Sequence, residues 1–187
     1  MKVLLFKKQV SSLLLIWMVM CVGFMGIFLE SEEVRAVGPT EVSGIISMDT
    51  IWTLTNSPYI VTGNVIVEIG AILTIEPGVE VKFDGEYYIF IDGSIVAEGN
   101  KENNIIFTSN KENPTREDWQ YIKIRESSGN KICVIKYCEI KYAKYGLYCE
   151  YGTSPTIENS LISNNNNHGI FLEANYEEGC SPQIILN

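Results

Sequence analysis

The sequence predicts an all-β protein folded as a right-handed parallel β-helix, a solenoid in which short strands stack coil upon coil. Two observations lead to this prediction: a repeat of roughly 22–27 residues in the C-terminal third, and short stretches in which apolar and polar residues alternate. Such a repeat length is typical of solenoids, and period-two alternation is typical of strands. Because so short a unit cannot bury a core alone, we expect successive coils to stack about 4.8 Å apart.

Residues 1–36 have the layout of a secretory signal. Three lysines in the first eight residues precede an uncharged apolar run, Leu13–Leu29, and Ala36 offers a small residue for cleavage. The run is longer than most signal cores and slightly short for a spanning helix. We therefore expect a helix that is either a cleaved signal peptide or a retained membrane anchor, and a protein that is secreted or held at the cell surface.

The rest of the chain is expected to form one domain. Residues 37–43 are predicted to be a linker and residues 44–187 a β-helix of roughly six coils. Only three of the 23 acidic but four of the 14 basic side chains precede residue 37, so the exported part has a formal net charge of −10. Phosphate backbones need clustered Lys and Arg, so nucleic acid is not an expected partner, and the membrane is expected to be contacted only by the N-terminal segment.

The clearest repeat aligns residues 134–149 with residues 156–172. The pattern restarts after Pro182 and is still in a strand at residue 187. We therefore expect a β-helix truncated at its C-terminus, with an open coil available for end-to-end self-association. The side chains predicted to point into the coil are Leu73, Ile75, Val79, Val81, Ile135, Ile140, Leu147, Ile157, Ile162, Ile170, Leu172 and Ile184.

Four consecutive asparagines, Asn164–Asn167, separate two strand-like stretches of this repeat. Asparagine tolerates the left-handed backbone of a sharp corner, and its side chain bonds to nearby backbone groups. The tract is predicted to form a corner of the solenoid, and a sugar or ion site is the alternative. His168 is expected to be a solvated residue of the same corner.

Cysteines in the exported part are predicted to be buried thiols rather than disulfides. Cys138 and Cys149 occupy inward positions of the repeat. Cys133 and Cys180 lie two coils apart, which exceeds the roughly 7 Å that a disulfide tolerates. We expect all four to act as small apolar side chains.

Residues 44–125 resemble the N-terminal portion of secreted right-handed parallel β-helix repeat proteins of the pectin-lyase-like superfamily. The stretches that carry the resemblance are DTIWTLTNSPYIVTGNVIVEIGAILTIEPGVEVKF, GSIVAEGNKENNIIFTSN and DWQYIKI. Residues 132–187 resemble the repeat region through VIKYCEIKYAKYGLY and TIENSLISNNNNHGIFLE. The resemblance implies the fold but leaves the activity open, because this fold hosts lyases, hydrolases, epimerases, adhesins and surface-layer components.

Polysaccharide lyases of the superfamily use clustered acidic residues for calcium and a basic residue to take the proton. By that resemblance Asp84, Glu86 and Asp92 are the candidate calcium ligands, and calcium is the one cofactor to consider. The alternative is that they are ordinary turn residues beside glycines, without the several converging oxygens that calcium needs. Lys123 and Arg125 alternate on one strand and are predicted to face outward, as either a lyase base or a solvated face would.

Aromatic residues offer a second kind of site. Tyr148 and Phe171 are predicted at equivalent outward positions of consecutive coils, where exposed rings suit stacking on sugars. The alternative is that the rings cover one another on the sheet surface. If a glycan binds, Tyr148 and Phe171 are the candidate contacts, and Asn165, Asn166 and Asn167 add hydrogen bonds.

Two function classes follow from the sequence. The first is a non-catalytic extracellular or cell-surface β-helix, structural or glycan-binding, with extracellular polysaccharide or cell-surface components as partners. The alternative is a polysaccharide lyase or glycoside hydrolase. The first is favoured because no catalytic motif or carboxyl pair can be named from the sequence.

Overall fold

The computed structural model describes residues 38–126, 131–174 and 182–185. Within these ranges the chain forms a parallel β-solenoid of about six coils, which confirms the predicted β-helix. The single helical element described is a 3-10 turn, Leu54–Asn56. No helix in the described ranges is long and apolar enough to cross a membrane. The predicted signal peptide or anchor, residues 1–36, lies outside them.

Each coil contributes one strand segment to each of three faces, and all neighbouring strands pair in parallel. The strands are β1 (Thr40–Ile46), β2 (Thr50–Trp52), β3 (Tyr59–Val67), β4 (Ile72–Ile75), β5 (Glu80–Phe83), β6 (Ile89–Ile91), β7 (Ser94–Glu98), β8 (Ile105–Ser109), β9 (Ile122–Ile124), β10 (Cys133–Lys136), β11 (Cys138–Lys141), β12 (Tyr145–Cys149), β13 (Thr156–Glu158), β14 (Leu161–Ser163), β15 (His168–Leu172) and β16 (Gln183–Ile185).

The long strands β1 and β3 bend and so belong to two faces. The first half of β3 pairs with β5, and its second half pairs with β6. The first face continues through β8, β11 and β14, and the second face through β9, β12 and β15. The third face stacks β2, β4, β7, β10, β13 and β16.

The first strand begins inside the segment predicted as a linker. β1 starts at Thr40, where it pairs in parallel with Tyr59 of β3. Both strands lie outside the part of the sequence that repeats clearly. The prediction of a linker over residues 37–43 therefore did not include this pairing. The ordered solenoid therefore begins earlier than residue 44.

The core follows from period-two alternation: inward side chains stack between coils, and outward ones reach solvent. Eight of the twelve predicted inward residues are buried, from Leu73 to Ile157, while Ile162 and Ile170 are half-buried. Leu172 and Ile184 pair in register with the buried Cys149 and Ile157, as an inward orientation requires, but are 42% and 48% exposed. Both lie in the last described coil, where no further described coil covers them.

The cysteines that the structure describes are buried, as predicted from the sequence. Cys133, Cys138 and Cys149 are buried thiols, and Cys180 lies outside the described residues. Burial raises the pKa of Cys138 to about 12, so this thiol stays protonated at neutral pH. These side chains fill space in the core as small apolar groups.

The polar loop between β8 and β9 is tied down by Asp118, whose carboxylate is buried. It accepts hydrogen bonds from the Lys111 ammonium at 2.7 Å and from the backbone N–H and hydroxyl of Thr115 at 2.9 and 2.7 Å. Burial alone would raise the pKa of Asp118, but these hydrogen bonds outweigh burial and lower it to about 2.

This carboxylate predicts a defined loss of stability in acid. Because the pKa of Asp118 is lower in the folded protein, its contribution is present above about pH 4 and is lost as the pH falls through 2. We expect Asp118→Asn to cost about 1–2 kcal/mol in the free energy of unfolding at pH 6, and less at pH 2.5. Urea unfolding at both pH values measures this, with Glu112→Gln as an exposed control in the same loop. A cost for Asp118→Asn that is equal at both pH values would contradict the assignment.

Candidate functional site

Aromatic side chains cover the outer surface of the second face from β6 to β15. Their inward neighbours, such as Ile89, Ile122 and Leu147, are buried, so alternation places the rings outside. We call this surface the aromatic face, and its members are Tyr88, Phe90, Tyr121, Tyr145, Tyr148, His168 and Phe171. The outward residues in register along its centre, in coil order, are Ile66, Phe90, Lys123, Tyr148 and Phe171.

The rings form an unbroken chain of contacts across four coils. Ring centroids lie 4.0 Å apart for Tyr88 and Phe90, 6.0 Å for Phe90 and Tyr121, 5.8 Å for Tyr121 and Tyr148, and 4.8 Å for Tyr148 and Phe171. The first two pairs are nearly parallel, whereas the last two are tilted by 52° and 47°. Tyr148 and Phe171 are half-buried, so part of each side chain remains accessible at the surface.

Tyr148 and Phe171, which the repeat places at equivalent outward positions, are paired in register on this face. Phe90 and the ring contacts of His168 were not predicted from the sequence. His168 begins β15 and stacks on Tyr145 with centroids 5.9 Å apart, although its ring is exposed. The available signal was the alternation around Ile89 in the stretch YYIFI, which predicts outward rings on both sides of a buried residue.

Both cations predicted to face outward lie against the rings. The Lys123 ammonium is 4.1 Å from the centroid of the Tyr148 ring, and the Arg125 guanidinium is 4.8 Å from that of Phe90. Each is also paired with a carboxylate: Lys123 with Glu150 at 2.8 Å, and Arg125 with Asp92 at 3.2 Å. The positive charges of this face are therefore compensated by the protein itself.

A row of carboxylates flanks the rings where the strands of the second face end. Glu150 and Glu173 follow the paired residues that end β12 and β15, so they lie on adjacent coils. Burial would raise the pKa of Glu150, but Lys123 and the backbone N–H of Glu126 lower it below the usual range. Glu173 accepts a 3.1 Å hydrogen bond from the Tyr148 hydroxyl. Burial and this bond raise the pKa of Tyr148 to about 12, so the phenol keeps its proton at neutral pH.

The three candidate calcium ligands do not converge. Asp84 accepts a 2.9 Å hydrogen bond from Asn110, Glu86 accepts one from Gln120 at 3.4 Å, and Asp92 pairs with Arg125. No group of three or more His, Cys, Asp or Glu side chains is arranged to hold a metal ion in the described ranges. Asp84 follows β5 on the first face and Asp92 follows β6 on the second, so the structure places these two carboxylates on different faces.

The asparagine tract forms the corner between β14 and β15, as predicted. Asn164 adopts a left-handed backbone with φ +55°, and Tyr142 has φ +67° at the corresponding corner one coil earlier. The Asn165 amide oxygen accepts a 2.8 Å hydrogen bond from the Ala143 N–H, and its nitrogen donates to the Ile140 carbonyl at 3.2 Å. Asn165 therefore links one coil to the next through both ends of its amide group.

The other two candidate amides lie at the surface. Asn166 donates a 2.7 Å hydrogen bond to the Glu117 carboxylate, and the backbone N–H of Asn167 bonds to the Lys144 carbonyl at 2.9 Å. Both side chains are exposed, and Asn167 immediately precedes the His168 ring. Asn167 therefore lies at the edge of the aromatic face.

Residues 44–158 match the family model described as a pectate-lyase-like beta helix domain. No curated protein and no solved structure matches the chain. Domains of this type are commonly extracellular. The match spans more than half of the chain and includes β6, β9 and β12 of the aromatic face. The chain therefore belongs to the pectate-lyase-like β-helix family.

Proposed function

We propose that the protein is a non-catalytic, extracellular carbohydrate-binding β-helix that holds a glycan along the aromatic face. The observation that carries this proposal is the contiguous surface of seven rings across four coils, six of them half-buried and His168 exposed. A sugar ring has an apolar face and a rim of hydroxyls. Such a ring packs on an aromatic side chain while its hydroxyls reach polar groups beside it.

The register of the face favours a glycan aligned with the solenoid axis. Adjacent coils are about 4.8 Å apart, which is close to the advance of one sugar along an extended glycan. Phe90, Tyr148 and Phe171 occupy one line parallel to that axis. A glycan on this line meets a new ring or the Lys123 stem at each coil, with carboxylates along one side.

Oligosaccharide length tests this alignment. We expect affinity to rise from one sugar to about four and then to level off, because four coils carry rings. Isothermal titration calorimetry with a length series of a glycan that binds measures the dependence. Equal affinity for a monosaccharide and a hexasaccharide would contradict binding along an extended face. A failure to bind any glycan of a broad panel would contradict the proposed function itself.

A polysaccharide lyase is the second candidate function, favoured by the Lys123 ammonium beside the Tyr148 ring. For Lys123 to reach a substrate, it must leave Glu150, with which it forms a 2.8 Å ion pair. The ion pair supports binding over cleavage. Unsaturated products released from any polysaccharide, and lost in Lys123→Ala, would establish the lyase instead.

A further inference from the structure

We infer that the aromatic face selects uncharged glycans and rejects carboxylated ones. This inference rests on the proposed glycan binding and adds the class of ligand. It follows from how the charges on and beside the rings are arranged. The cations are already paired, and carboxylates outnumber them.

Both cations that lie over the rings already have a protein carboxylate as partner. Lys123 lies between the Tyr148 ring and the Glu150 carboxylate, and its side chain is 17% exposed. Arg125 contacts Phe90 and pairs with Asp92 at 3.2 Å, and its side chain is 37% exposed. A sugar carboxylate that took either cation would displace a protein carboxylate and leave it unpaired beside the incoming charge. The exchange therefore gains no ion pair and adds repulsion.

The acidic row remains negative after this pairing. Glu173 lies one coil from Glu150, and its carboxylate accepts a hydrogen bond from the neutral Tyr148 hydroxyl. Glu126 follows Arg125, and its backbone N–H binds the Glu150 carboxylate. The side of the rings therefore carries four carboxylates against three cations: Asp92, Glu126, Glu150 and Glu173 against Lys123, Arg125 and Lys131. Charges of one sign within a Debye length repel an approaching polyanion.

Uncharged sugars are attracted by the same carboxylates through hydrogen bonds. An ionised carboxylate is only an acceptor of hydrogen bonds, and sugar hydroxyls are donors. Hydrogen bonds from hydroxyls to ionised acceptors are among the stronger ones. Glu150, whose pKa is lowered, and Glu173 are placed to accept them from a sugar on Tyr148. The same residues thus attract a neutral glycan and repel an acidic one.

Polymers that share a backbone but differ in charge test the inference. The pairs are hydroxyethylcellulose with carboxymethylcellulose, and methyl-esterified with de-esterified polygalacturonate, in affinity gel electrophoresis. At low salt we expect the uncharged member that binds to do so at least about tenfold more tightly than its charged counterpart. The ratio should shrink at high salt. Glu173→Gln, which keeps an acceptor for Tyr148, should also shrink it, whereas Glu98→Gln on the third face should not.

The outcomes separate the inference from the proposed function. Equal binding of both members of a pair, or tighter binding of the carboxylated member at low salt, overturns charge selection and leaves glycan binding standing. A ratio unaffected by salt and by Glu173→Gln also overturns it. Binding to no polymer, charged or uncharged, removes the proposed function and this inference together.

Discussion

Tyr148→Ala is expected to weaken binding of a neutral hexasaccharide by at least about tenfold, equivalent to about 1.4 kcal/mol. Tyr148 is in ring contact with Tyr121, Tyr145 and Phe171, at centroid distances of 5.8, 5.8 and 4.8 Å. Removing it therefore leaves a gap in the central line of outward residues between Lys123 and Phe171. Isothermal titration calorimetry gives the affinity, and circular dichroism establishes that the variant is folded.

Two further variants act as controls for Tyr148→Ala. Tyr148→Phe keeps the ring and loses only the hydrogen bond to Glu173, so we expect most of the affinity to remain. Val96→Ala shortens a half-buried outward side chain on β7 of the third face and should bind as the wild type does. Wild-type affinity in folded Tyr148→Ala would place the glycan elsewhere.

Gly93→Ala is expected to destabilise the fold by about 3 kcal/mol or more. Gly93 lies between β6 and β7, where its N–H donates to the Val67 carbonyl at 2.9 Å. A Cβ atom there would be 2.2 Å from the Glu68 carbonyl oxygen and 2.3 Å from that of Ala71. Because both neighbours are backbone atoms of the preceding coil, the corner must open to admit a methyl group. The urea midpoint measures the loss.

Gly169→Ala is the matched control for this close approach. The atom nearest to a Cβ at Gly169 is the Ile162 Cγ2 at 3.3 Å, a side-chain atom that can move. We expect a midpoint close to that of the wild type. If Gly93→Ala unfolded at the wild-type midpoint, the corner between the second and third faces would not have the described geometry.

The fold was largely predictable because the repeat fixes which side chains stack. Ile135 and Ile157 align in sequence and pair in register, and Asn164 lies at the corner that its backbone preference predicts. The start of β1 at Thr40 was not predictable in this way, since its partner β3 lies outside the clear repeat. The alignment gave the inward orientation of Leu172 but not its 42% exposure, because alignment does not show which coil covers a residue.

The candidate site was predictable only in part. Tyr148 and Phe171 fall within the repeat, so their shared face follows from alignment. The loop between β8 and β9 interrupts the repeat period. The sequence therefore does not reveal that Phe90 is in register with Lys123 and Tyr148. Asp84 and Asp92 show that closeness in sequence does not place residues on one face, because the corner between β5 and β6 separates them.

The central claim is that a glycan lies on the aromatic face, and chemical-shift mapping by nuclear magnetic resonance tests it most directly. On titration with a neutral hexasaccharide that binds, we expect perturbed backbone amides along β6, β9, β12 and β15. Amides of the third face, such as those of β7 and β10, should stay unchanged. Shifts clustered on the first or third face, or at the ends of the solenoid, would contradict the claim.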